Sequence, residues 1–121
     1  MNNTENTDNN RFFNNIMIVG HAGSDAEIKY FDSGSAKANV SLAVNRIGKN
    51  KEKITDWFRV EFWNKDAEIA SEYIKKGTLI GVDGRLSVNK WTDKESGEKR
   101  ELYSIVANSF RLLSSRKANE A

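Results

Sequence analysis

In Asp56-Trp57-Phe58-Arg59-Val60-Glu61-Phe62-Trp63, the apolar residues Phe58, Val60 and Phe62 recur at every second position. Successive side chains of a β-strand point to opposite faces. The spacing therefore predicts a strand over residues 56–63 with these three on the core side. Trp57, Arg59, Glu61 and Trp63 then share the other face. Two tryptophans beside an arginine on a face meant for water call for a use.

Downstream of this strand the period changes from two to that of a helix. Ala67, Ala70, Tyr73 and Ile74 form an apolar stripe, with Asn64 or Asp66 able to cap the start. Lys75 and Lys76 fall in the expected last turn, and Gly77 ends it. A fourth strand is predicted over residues 78–91, with Ile80, Val82, Leu86 and Val88 on one face. Asp83, Arg85, Ser87, Asn89 and Trp91 occupy the other. Gly81 and Gly84 would let a strand this long coil sharply. A hairpin over 92–99 leads to a fifth strand over 100–107, and 109–113 adds a short apolar finish.

Upstream, residues 36–46 read as a second strand, with Ala38, Val40, Leu42 and Val44 on one face. Lys37, Asn39, Ser41, Ala43 and Asn45 lie on the other. The connection to the central strand is polar and holds Lys49, Lys51 and Lys53. A first strand is predicted over 13–19, followed by a bend at Gly20 and Gly23 and a loop around Asp32-Ser33-Gly34-Ser35. The order is three strands, one short helix, then two strands. This is the order of the OB-fold, an all-β, five-stranded Greek-key barrel whose second and third strands and long loops often bind oligonucleotides.

The chain of 121 residues is the size of one domain, expected over 11–113, with a disordered polar tail at 1–10 and a short flexible one at 114–121. It has no cysteine and a single histidine, His21, which removes disulfides, thiolate metal sites and a zinc site built of histidines. No nucleophile–base pair or phosphate loop is present; Gly20-His21-Ala22-Gly23 is too short and opens no helix. No enzyme activity, metal or cofactor is expected. No apolar run reaches the length of a membrane span, and the N-terminal residues do not resemble a secretory or transit signal, so a cytoplasmic-type soluble protein is expected. The formal net charge of +2 is too small to indicate nucleic acid by itself, so the distribution of charge has to decide.

That distribution is informative. Trp57, Trp63 and Trp91 all take the outward parity, Arg59 and Arg85 share it, and Arg46, Lys65 and Lys90 flank it. Any base offers a π-face, so an aromatic ring can stack on it whatever the sequence, and nearby cations neutralise phosphates. On pattern alone the same row also suits a protein–protein contact, and RNA is as acceptable as DNA to a stacking ring.

The sequence resembles the bacterial and organellar single-stranded DNA-binding proteins. Asn15-Ile16-Met17-Ile18-Val19-Gly20 with Gly23, Asp25, Glu27 and Tyr30 is similar to that family's first strand and turn. Ser33-Gly34 and Ala38 to Arg46 resemble its second strand; Asp56-Trp57-Phe58 and Phe62-Trp63-Asn64-Lys65 resemble its third. Ala70 to Gly77, Val82 to Leu86, and Trp91-Thr92-Asp93 with Gly97 and Arg100 resemble its helix, fourth strand and hairpin.

The resemblance implies that Trp57, Trp63 and Trp91 stack on bases, with Lys65 and Lys90 beside them. Further DNA contacts are expected at Arg59 and Arg85 from their parity, at Arg46 flanking that row, at Lys49, Lys51 and Lys53 from the loop where this fold extends a binding arm, and at Arg100. It implies sequence-tolerant coating of unwound strands in replication, recombination and repair, and a homotetramer. The expected location is the cytoplasm at the nucleoid, with an organelle stroma or matrix as the alternative. Three departures stand out. Ala26 replaces the usual proline, and Ile47 and lysines stand where some members carry a further aromatic. The chain ends Arg116-Lys117-Ala118-Asn119-Glu120-Ala121 rather than in the usual long acidic tail. Recruitment of replication and repair partners through such a tail is therefore not carried over.

Overall fold

The computed structural model describes residues 13–114; the expected N-terminal tail, and the C-terminal one beyond Ser114, lie outside them. Six strands and one helix follow in the order β1 (Ile16–Ala22), β2 (Glu27–Tyr30), β3 (Ala36–Ile47), β4 (Lys53–Trp63), α1 (Lys65–Tyr73), β5 (Leu79–Thr92) and β6 (Lys99–Leu112). The central strand of the sequence argument is β4. Neighbours run β1-β5-β6-β4-β3-β2, and β3 also pairs with β1 through His21↔Ala43 and Ala22↔Leu42. That pairing, together with the parallel contact Val60↔Ile105 and Glu61↔Val106 between β4 and β6, closes five strands into a barrel. The OB-fold expectation holds.

Two sequence boundaries shift for identifiable reasons. The first strand starts at Ile16 rather than Phe13, yet its register with β5 continues by other means. The Asn14 amide accepts from Leu86 N at 2.7 Å and donates to Leu86 O at 2.8 Å, replacing the next backbone rung. The fifth strand runs on to Leu112 as β6, absorbing the apolar finish. A register shift at Asp83/Gly84 lets it do so, because Gly84 pairs with Ala107 and Asp83 with Ser109, leaving Asn108 unpaired. A Cβ on Gly84 would lie 2.2 Å from the Val106 carbonyl oxygen, so only glycine fits this close crossing.

The short strand β2 is not signalled by alternation. Its four residues are mostly polar and are held by pairing with β3, Glu27↔Asn39 to Tyr30↔Ala36. The helix also ends earlier than its sequence suggests. Lys75 and Lys76 lie beyond its last turn, and the Lys76 amide donates instead to Asp25 Oδ1 at 2.9 Å. Asn64 makes no side-chain cap. Its Oδ1 accepts from Ala36 N at 3.1 Å, tying the start of the helix to β3.

The core is built from the predicted inward parities Ala38, Val40, Leu42, Val60, Phe62, Ile80 and Val82, with Ile105 of β6 and Ala67, Ala70 and Ile74 beside α1. Phe110 meets Phe62 edge-on, ring centroids 4.8 Å apart. Inward parity ceases to mean burial where strands leave the barrel. Phe58 is 37% exposed, and Leu86 and Val88 are exposed as well. The ends of β3 and β4, and of β5 and β6, are two-stranded ribbons with water on both faces.

Candidate nucleic-acid interface

Eleven cross-strand pairs fix β4 on β3, from Lys37↔Trp63 to Ile47↔Lys53. Paired residues point to the same side of a sheet. The outer face therefore reads, rung by rung, Trp63 with Lys37, Glu61 with Asn39, Arg59 with Ser41, Trp57 with Ala43, Thr55 with Asn45, and Lys53 with Ile47. Trp57 and Trp63 stand six residues apart on one strand, about 20 Å at a strand's rise.

Trp57 is 61% exposed. Its ring lies across Gly23, where a Cβ would come within 2.6 Å of the ring, so the bend after β1 must stay side-chain-free for the ring to sit there. The outward parity of Trp57 thus holds, and Gly23 emerges as its support.

Trp63 is 38% exposed and is held from three sides. Its Nε1 donates to Glu61 Oε1 at 3.3 Å, the Lys37 ammonium lies 5.5 Å from its ring centroid, and Phe31 stacks nearly parallel at 6.1 Å. Glu61 has outward parity yet is only 4% exposed, and its carboxylate also pairs with Lys37 Nζ at 3.5 Å. A carboxylate this buried is tolerable because Lys37 neutralises it and Trp63 hydrogen-bonds to it. Phe31, Lys29 and the holding role of Glu61 escape a reading by alternation. Tyr30-Phe31 directly before a Ser-Gly turn was the signal available for the first of these.

Trp91, 50% exposed, stands at the far end of β5 opposite Arg100. Arg85 shares its parity and pairs with Val106, which pairs with Glu61, so the outer faces of β4, β6 and β5 are continuous. Trp57, Trp63, Trp91, Arg59, Arg85, Lys53 and Arg100 thus belong to one surface. Lys49 and Lys51 are exposed in the β3–β4 turn at its edge, and Lys65 is exposed at the first position of α1.

Arg46 and Lys90 are not on that surface. Both take the opposite face of their ribbons and both have acidic partners: Arg46 Nε lies 2.7 Å from Asp56 Oδ2, and Lys90 Nζ lies 3.9 Å from Glu101 Oε1. Arg100 faces the right way but sits 3.4 Å from Asp93 and 3.8 Å from Glu98. Arg59, Arg85, Lys49, Lys51 and Lys53 make no ion pair among the described residues. On the other face of the β5–β6 ribbon, Tyr103 donates to Glu101 Oε2 at 2.6 Å, and that bond to a carboxylate raises the phenol pKa above its ordinary value.

Residues 13–113 match the model of the single-strand binding protein family. The chain belongs to that family. It is 47% identical over 106 residues to "Single-stranded DNA-binding protein 1" of Synechocystis sp., a match covering 88% of each chain. It is 45% identical over 103 residues to "Single-stranded DNA-binding protein 1" of a Nostoc species, covering 85% of each. "Single-stranded DNA-binding protein 2" of that Nostoc species is 34% identical over 110 residues, covering 91% of this chain and 85% of the relative. For this single-strand binding family member the matched span takes in all six strands, the helix and every tryptophan. No group of three or more His, Asp or Glu residues able to hold a metal ion occurs among the described residues.

Proposed function

We propose that this protein binds single-stranded DNA without sequence preference and coats unwound strands during replication, recombination and repair, as a binding protein and not an enzyme. The observation that carries this is the continuous outer face holding three exposed tryptophans interleaved with cations free of acidic partners among the described residues. Bases stack on Trp57, Trp63 and Trp91, each stack contributing roughly 1–3 kcal/mol. Arg59, Arg85, Lys49, Lys51 and Lys53 neutralise phosphates, and each such contact makes the affinity salt-dependent. A duplex hides its base faces within its own stack, so it offers the rings nothing and is bound poorly.

The working unit in this proposal is a homotetramer. Met17 and Val19 on the outer side of β1, and Leu86 and Val88 on the face of the β5–β6 ribbon opposite Trp91, are large apolar residues left in water by one chain. Exposure of large apolar side chains on more than one face is relieved by self-association. Sedimentation across a range of concentrations tests it. A species of four chains is the expected result, and a monomer at all concentrations contradicts it.

Binding is tested by titrating the intrinsic tryptophan fluorescence with oligo-dT at two salt concentrations, with a duplex as control. Strong quenching by oligo-dT, weakened by salt, and little quenching by duplex are expected. Equal quenching by both would count against the proposal.

A further inference from the structure

Resting on the single-stranded DNA reading, we propose that Phe31 and Trp63 together form an additional stacking subsite, a two-ring platform that takes a nucleobase and extends the strand's path beyond β4 onto the β2–β3 turn. Lys29 serves the phosphate of that nucleotide, and Lys37 stays with Glu61 beneath the platform.

The arrangement is built by pairing. Lys37 stands opposite Trp63 across β3 and β4, and opposite Lys29 across β3 and β2, so the three form one rung of the outer face. Phe31 follows β2 directly, and its backbone amide donates to Ser35 O at 2.9 Å in the turn that brings the ring back over this rung. Its ring lies 19° from parallel with that of Trp63. Both remain more than one-third exposed, so neither is a core residue. The Lys29 ammonium sits 5.7 Å from the Phe31 centroid, matching Lys37 over Trp63.

Two nearly parallel rings, with an ammonium between 5.5 and 5.7 Å from each centroid, offer what one nucleotide needs. A base covers aromatic surface and the phosphate beside it attracts the Lys29 cation. An exposed cation–π contact is weaker than base stacking, so the Lys29 ammonium gives way to the base and moves to phosphate, while Lys37 stays paired with Glu61. Trp63 is already fixed by its hydrogen bond to Glu61, and its stacking face needs little ordering when a base arrives. The path runs from Trp63 over Phe31 toward Lys29 and away from Asp32, whose carboxylate would repel the backbone.

The test compares Phe31→Ala, Phe31→Leu and Phe31→Tyr for oligo-dT affinity, with wild type measured alongside. Phe31 is exposed, so all three should keep the wild-type melting temperature within a few degrees. Leu and Tyr also retain bulk if Ala proves unstable. Both Phe31→Ala and Phe31→Leu should bind about tenfold more weakly, and Phe31→Tyr should bind like wild type, because only a π-face supports a base. Phe31→Leu binding as tightly as wild type would overturn the subsite and leave Phe31 as an apolar prop for Trp63. Lys29→Gln should lower the slope of log affinity against log salt by about 0.7, the share of one phosphate contact on a single strand. An unchanged slope would remove Lys29 from the path. If wild type itself failed to bind oligo-dT, the function as a whole would fall; if wild type binds while Phe31→Leu matches it, only this subsite falls.

Discussion

The barrel and the two ribbons that leave it are made from the same strands but obey different rules. Within the barrel, at Val60 and Phe62 of β4, one face of the strand is sealed in the core, with Phe110 of β6 against Phe62, and alternation translates directly into burial. Three residues earlier, at Trp57, Phe58 and Arg59, the same strand is exposed on both faces. The barrel supplies rigidity, and the ribbons spend their length on presenting aromatic and basic side chains. Stability and binding are thereby separated along single strands.

That separation can be attacked from its strongest side first. Phe62→Ala should lower unfolding free energy by about 3–5 kcal/mol in denaturant titration, the usual cost of removing a large core ring. A loss below 1 kcal/mol would mean that the barrel is not what holds the chain together. Glu61→Ala sits on the border between the two regions. It frees the Trp63 indole and leaves the Lys37 ammonium without its partner, so a loss of about 1–3 kcal/mol in stability is expected together with weaker oligo-dT binding. An effect on only one of the two would sharpen the border. Smaller still is the contrast among ribbon cations. Lys51→Ala and Lys53→Ala should each reduce the salt slope of oligo-dT binding by about 0.7. Arg46→Ala should leave the slope nearly unchanged, because Arg46 is engaged by Asp56 on the opposite face. A large slope change for Arg46 would show that its ion pair opens on binding.

The same contrast explains what was legible in the sequence. The strand order, the helix, and the outward setting of Trp57, Trp63 and Trp91 follow from the period of two and its break at Asn64, because each reports a local choice. The sequence placed Phe58, Leu86 and Val88 on the correct faces, but alternation cannot tell where a barrel ends. The strand β2 was invisible because long-range pairing to β3 creates it, not the pattern in Glu27-Ile28-Lys29-Tyr30. The partners of the charges were out of reach for a related reason. Nothing in the pattern shows that Arg46 stands beside Asp56 and Lys90 beside Glu101. Glu61 looked solvent-facing until Trp63 and Lys37 closed over it. Partners across strands are the information that a one-dimensional pattern lacks.

The central claim is that the outer face, on barrel and ribbons alike, binds while the barrel core holds. The most direct test is a protein carrying both Trp57→Ala and Trp91→Ala, measured for oligo-dT affinity and for thermal unfolding in the same buffer. Affinity should fall by roughly 2–6 kcal/mol for two lost base stacks, with the melting temperature within a few degrees of wild type. Unchanged affinity with a collapsed melting temperature would place those rings in the core and contradict the claim.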